Sequence, residues 1–271
     1  MPSLSLPGSN SLAPVQPSAP KIGFIAPIYS DTEYAGLASA ALANPTVPVI
    51  AIVNPAWAGT ANTAPSYDAT MAAGIATLKA AGVTVLGYIW TCYGTRIATG
   101  STGTFAYSSC GTVGGSYRAG WQDDINQYIA YNYNLDGIWL DQMSAGAQSS
   151  PNYTVAQLAQ YYQNVETWVH TKGFQFCGGN AGAMPNSAFF GTQDVICIHE
   201  GAALPTPSSL ATTGVQLSQL YLVAYDVASI TSTSVTQYNG YVGWLYISNQ
   251  NDYTALPSYL STLMGYLAAN T

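Results

Sequence analysis

Short, uninterrupted apolar runs rich in β-branched residues recur along this chain. They are separated by segments in which apolar residues return every three or four positions. Runs of that length, bounded by Gly, Pro, Asn and Asp, read as buried strands, and the longer periodic segments read as helices. Strands are predicted at residues 22–28, 47–53, 83–90, 137–140, 174–177, 195–199, 220–225 and 241–247. Helices are predicted at 68–80, 116–131, 155–170 and 257–269. Gly82 supplies a stop for the first helix, and Thr154 an N-cap for the third, which ends before Gly173. The connections after strands 1, 5, 6 and 7 read as short or irregular helices.

Eight strands alternating with helices over about 250 residues predict an α/β fold, a (β/α)8 barrel. An open, doubly wound sheet is the competing arrangement. Strand count and chain length together favour the barrel. The domain is expected to span residues 21–271. Residues 1–20, rich in Pro and Ser, form an N-terminal extended arm. This arm has neither the basic start nor the apolar stretch of an ordinary signal peptide. It is suited to packing on a neighbouring subunit.

Composition narrows the partners. Only 6% of the residues are charged, with 5 Lys and Arg against 12 Asp and Glu, so the net charge is −7. So few basic residues argue against nucleic acid. No apolar run is long enough to predict a membrane span. Tyr, 21 in number, takes much of the place that charge holds on other surfaces. A surface so poor in titrating groups suits an acidic, extracellular or cell- or virion-surface setting. The 4 cysteines show no C-x-x-C pair and no His at ligand spacing, which argues against a zinc site. Cys92 and Cys110 bracket one Gly/Ser/Thr-rich loop and are positioned for a disulfide in an oxidising setting. Cys177 and Cys197 read as buried thiols.

Against this background, two strands that end in a carboxylate stand out. One is Asp136-Gly-Ile-Trp-Leu-Asp141-Gln142, the other Asp194-Val-Ile-Cys-Ile-His199-Glu200. In a parallel barrel the C-terminal strand ends form the reactive face. Two carboxylates facing one cleft there are the minimum equipment for glycoside hydrolysis. Asp136 falls at the opposite end and reads as a cap or turn residue. His199, by strand alternation, is expected to point away from Glu200's side of the sheet. Asp226, at the end of strand 7, adds a third carboxylate to the reactive face.

The loops after strands 2 and 3 carry Asn54-Pro55-Ala56-Trp57 and Gly87-Tyr88-Ile89-Trp90-Thr91-Cys92-Tyr93-Gly94-Thr95-Arg96. These, with the two strand-end carboxylates, Asn180, and the late Tyr253, Leu256, Pro257 and Tyr259, resemble the spherulin-4-like glycoside hydrolase family. The resemblance runs over roughly residues 21–268. It implies a (β/α)8 barrel, no cofactor, and catalysis by Asp141 and Glu200. It also implies a substrate of α-1,4-linked galactosamine or N-acetylgalactosamine polymers, with retention of configuration. In that reading Asp141 is the nucleophile and Glu200 the acid/base, with the reverse assignment open. Tyr29, Asn54, Tyr88, Tyr93, Arg96, Gln142, Asn180, Asp226 and Trp244 are the expected sugar-binding residues.

The chain departs from the family pattern at Gln142, where relatives carry Glu. Gln can hydrogen-bond a sugar hydroxyl but cannot exchange a proton. That substitution, the Tyr-rich surface and the Pro/Ser arm support a rival reading. In it, a catalytically weak or inactive barrel serves as a glycan-binding or structural subunit of a filament, sheath or virion, assembling through its arm.

Overall fold

The computed structural model of the chain describes residues 22–55, 66–94, 96, 120–149 and 152–270. The N-terminal arm, residues 56–65, Cys110 and the start of the helix expected at 116 lie outside the described residues. Eight parallel strands close into a barrel: β1 (Gly23–Ile28), β2 (Val49–Val53), β3 (Thr84–Trp90), β4 (Gly137–Asp141), β5 (Phe176–Asn180), β6 (Val195–Ala202), β7 (Leu220–Tyr225) and β8 (Trp244–Ile247). Each strand pairs with its sequence neighbours, and β1 pairs with both β2 and β8 to complete the circle. The open doubly wound alternative is thereby excluded.

The helices are α1 (Tyr34–Ala43), α2 (Ala69–Ala80), α3 (Trp121–Tyr131), α4 (Val155–Thr171), α5 (Ser232–Thr236) and α6 (Leu260–Ala269). The α2 N-terminus is capped by Asp68, whose carboxylate accepts the Thr70 and Met71 N–H groups, and α4 is opened by a Thr154–Gln157 capping box. The helix after β1, expected to be short or irregular, is the regular ten-residue α1. Its residues, YAGLASAALA, are nearly all small and apolar. They give helix propensity without a polar face, so periodicity had little contrast to detect. The connections after β5 and β6 hold only short 3-10 turns, and that after β7 holds the five-residue α5, as expected.

Strand β5, expected at 174–177, is found at Phe176–Asn180, displaced at both ends. Gly178 and Gly179 hid it, because glycine disfavours strands. Packing explains their presence. A Cβ on Gly178 would stand 2.6 Å from the Trp139 ring, and one on Gly179 would stand 2.0 Å from the Met143 sulfur. Trp139 fills the barrel beside this gap, its ring edge-on to Tyr221 at 5.8 Å. Tyr221 in turn donates to the Ile25 carbonyl across the barrel at 2.8 Å. Gly178→Ala is therefore expected to destabilise the barrel by about 1–3 kcal/mol through overpacking. A lowered urea midpoint at constant slope would show it; an unchanged midpoint would mean that Trp139 moves aside freely.

At the N-terminal face Asp136 is structural, as the sequence suggested. Its carboxylate pairs with Lys79 at 2.5 Å and accepts the Val85 N–H at 2.9 Å. It ties α2 and β3 to the start of β4.

Candidate active site

The C-terminal ends of β4, β5 and β6 bring Asp141, Asn180 and Glu200 together. The Asn180 amide nitrogen donates to Asp141 Oδ1 at 3.0 Å and to Glu200 Oε2 at 2.6 Å. Because both oxygens hang on one nitrogen, they lie no more than about 5.6 Å apart. The Asn180 carbonyl oxygen accepts the Gly182 N–H at 2.8 Å, which fixes which way the amide points.

Strand alternation alone does not deliver Glu200 to this cleft. Cys197 pairs with Tyr221, and Tyr221 packs on Trp139 inside the barrel. Strict alternation from Cys197 would place His199 inside and Glu200 outside. The pairing of β6 with β7 slips between Cys197 and His199, so that His199 stands beside Leu222 and Glu200 beside Val223. This one-residue bulge inverts the faces and re-aims Glu200 inward. The outward orientation expected for His199 is thus achieved by an irregularity. Its burial lowers the His199 pKa, with Glu200 acting in the opposite direction.

The turns after β3 and β4 interlock. Thr91 Oγ1 donates to the Asp141 and Gln142 carbonyls at 3.0 and 2.9 Å, and the Tyr93 N–H donates to the Gln142 carbonyl at 2.6 Å. Cys92, Tyr93 and Gln142 have φ of 53°, 57° and 53°, and Gly94 follows at 79°. A Cβ on Gly94 would also stand 2.6 Å from Leu158, so glycine is required there twice over. Cys92 is disulfide-bonded. Its expected partner, Cys110, is outside the described residues.

A cleft of about 270 Å³ opens over the two carboxylates, lined by Tyr29, Tyr88, Tyr93, Gln142, Asn180 and Tyr253 among others. Tyr88 donates to Asp141 Oδ2 at 2.7 Å, and Tyr253 donates to Glu200 Oε1. Tyr29 stands edge-on to both of these rings, at 5.7 and 5.4 Å. Burial raises the Asp141 pKa, opposed by the hydrogen bonds from Tyr88 and the Gln142 N–H; the Glu200 charge pushes it up further. Burial, reinforced by the carboxylates, holds Tyr29, Tyr88 and Tyr253 protonated, and Tyr88 and Tyr253 act here as donors.

Of the sugar-binding residues expected from sequence, Tyr29, Tyr88, Tyr93, Gln142 and Asn180 line the cleft. Arg96 and Trp244 stand elsewhere. Arg96 is buried beneath the β3 turn, 2.6 Å from Asp124 of α3, and bonds the Trp90 and Gly120 carbonyls. With so few cations in the chain, an Arg in a loop reads as a ligand; nothing local reveals its buried partner. Trp244 opens β8 at the N-terminal end of the barrel. There it packs into the space left by Gly23 and donates to the Ser218 carbonyl. Asn54 and Asp226 follow β2 and β7 but do not line the cleft. The Asn54 side-chain oxygen is buried with no partner among the described residues. Asp226 takes a φ of 56° and its N–H bonds the Gln250 carbonyl, a turn role. Tyr253 was visible in sequence only through the family resemblance, since its loop carries no periodicity.

Comparison with known proteins agrees with this architecture. Spherulin-4 of Physarum polycephalum is 30% identical over 189 residues, which cover 68% of this chain and 46% of that protein. The chain thus spans about half the length of this curated relative. Among solved structures, Aspergillus clavatus Sph3 in complex with GalNAc aligns over 92% of this chain and 98% of its own, with a TM-score of 0.70 at 18% identity. The α-N-acetylgalactosaminidase NagBb of Bifidobacterium bifidum aligns over 93% of this chain and 51% of its own, with a TM-score of 0.54 at 9% identity. These likenesses carry the fold. The sequence profile of spherulation-specific family 4 matches residues 23–267, nearly the whole barrel, and the chain belongs to that family.

Proposed function

We propose that this protein is a glycoside hydrolase acting on galactosamine- or N-acetylgalactosamine-containing polysaccharide through Asp141 and Glu200. The observation that carries the reading is the carboxylate pair bridged by Asn180, in an open cleft edged by tyrosines. A separation of about 5–5.5 Å is characteristic of retaining enzymes, whereas inverting ones need about 6.5–9.5 Å to admit a water. The bound set by Asn180, on one oxygen of each carboxylate, is compatible with the retaining class, to which the family resemblance also points. GalNAc in the Sph3 complex and in the NagBb name supports the substrate class.

The electrostatics favour Asp141 as the proton donor and Glu200 as the nucleophile, the reverse of the assignment that the resemblance implies. Two carboxylates sharing one donor do not both ionise cheaply. Burial raises Asp141, so it is the member suited to hold the proton. Glu200, held by Tyr253 and Asn180, attacks the anomeric carbon as Asp141 protonates the departing oxygen. Water then releases the glycosyl intermediate, with the Asp141 carboxylate as base. Gln142, at the cleft wall, contributes hydrogen bonding to sugar hydroxyls.

The test is release of reducing ends from such polymers between about pH 3 and 7. Activity must fall as pH rises through the Asp141 pKa, because the acid form is then lost. Tyr88 lowers that pKa, so Tyr88→Phe is expected to move the alkaline limb of kcat/KM to higher pH. A limb that stays put or moves to lower pH would remove Asp141 from the acid role. No release at any pH from folded protein would leave the second reading, which Gln142 favours: a barrel kept for glycan binding or assembly.

A further inference from the structure

At the N-terminal face, away from the cleft, Glu166 and His170 of α4 meet Asp194, the residue before β6. His170 Nδ1 lies 3.0 Å from the Phe174 carbonyl oxygen, an atom that can only accept, so Nδ1 carries a proton. Nε2, the ring's other nitrogen, faces Glu166 Oε1 at 3.3 Å and Asp194 Oδ2 at 3.5 Å. The three atoms lie within 4.8 Å of one another, close enough to share one cation. The two spacings from Nε2 match edges of a tetrahedron about a zinc ion with bonds of about 2.0–2.1 Å, which are about 3.3–3.4 Å.

Each of the three side chains is also held from behind, as metal ligands are. Phe174 holds the His170 ring, Gln163 donates to the other Glu166 oxygen at 2.7 Å, and the Cys177 N–H donates to Asp194 Oδ2, the facing oxygen itself, at 2.7 Å. All three side chains keep a solvent-facing side, which leaves a fourth position for water. Cysteine and histidine spacing gave no hint of this group, because two of its three members are carboxylates and one of these, Asp194, is distant in sequence.

We infer that Glu166, His170 and Asp194 form a structural divalent-cation site, with zinc the best-matched ion, that pins the end of α4 to the start of β6. The test is titration of untagged, metal-stripped full-length protein with zinc chloride by calorimetry, with thermal unfolding in parallel. Zinc is expected to bind one to one. At a hundredfold excess over Kd it should raise Tm by about 5 °C. His170→Gln should abolish both effects, and Glu166→Gln should weaken binding about tenfold or more. His199→Gln, which removes the other of the two histidines, should leave zinc binding in place. No one-to-one heat would overturn the proposal and identify the cluster as an ion pair with protonated His170. A Tm rise that survives in His170→Gln would also overturn it, by placing the zinc elsewhere.

Discussion

Glu200→Gln is expected to reduce polysaccharide hydrolysis by more than about 1,000-fold with little change in Tm. The substitution keeps shape and hydrogen-bonding capacity but removes the charge that attacks the anomeric carbon. Gln keeps one acceptor oxygen, which can meet the Asn180 amide, and the Tyr253 hydroxyl can rotate to accept from the Gln NH2, so folding has little to lose. Glu200→Ala adds a test of role. With the nucleophile truncated, added azide should enter the vacated space and attack the substrate directly, giving a glycosyl azide of inverted configuration. If Glu200 were instead the acid/base, azide would capture a covalent intermediate on Asp141 and the product would retain configuration. Full activity in Glu200→Gln would exclude both roles.

The barrel was largely legible because parallel strands buried on both faces are written as continuous apolar runs. Asp141 and Glu200 were legible because a carboxylate ending such a run is costly unless it is held or used. What sequence could not show was how Glu200 reaches the cleft. The bulge at Ile198 has no signature in Val-Ile-Cys-Ile-His, and counting by twos from Cys197 gives the wrong face. Pairing across a barrel is likewise invisible locally: Trp244 looks like a sugar platform until its partner is seen to be Gly23. Strand β5 and helix α1 were blurred for a common reason. Both lean on Gly and Ala, which permit close approach, and such residues carry little of the contrast on which periodicity depends.

Arg96 shows what the same ambiguity means for stability, and Arg96→Met is expected to cost about 3–5 kcal/mol. Asp124 is fully buried, and Arg96 is 2% exposed. The guanidinium neutralises Asp124 at 2.6 Å, stacks over Trp90 at 5.4 Å and satisfies the Trp90 and Gly120 carbonyls. Methionine fills much of the volume but leaves a carboxylate in the interior without its cation, and two carbonyls lose a donor. For a chain of this size the loss corresponds to a fall in Tm of about 10 °C. The double variant Arg96→Met, Asp124→Leu removes both charges and should recover much of that loss, because a buried pair gains little over apolar packing once neither ion is stranded. The two variants also separate folding from function. Arg96 supports the turn that presents Tyr93 and fixes Gln142, so a stable double variant with weakened substrate binding, seen as raised KM at constant kcat, would assign it a positioning role. A single variant as stable as the native chain would show that water reaches Asp124, and that the pair contributes little to the barrel.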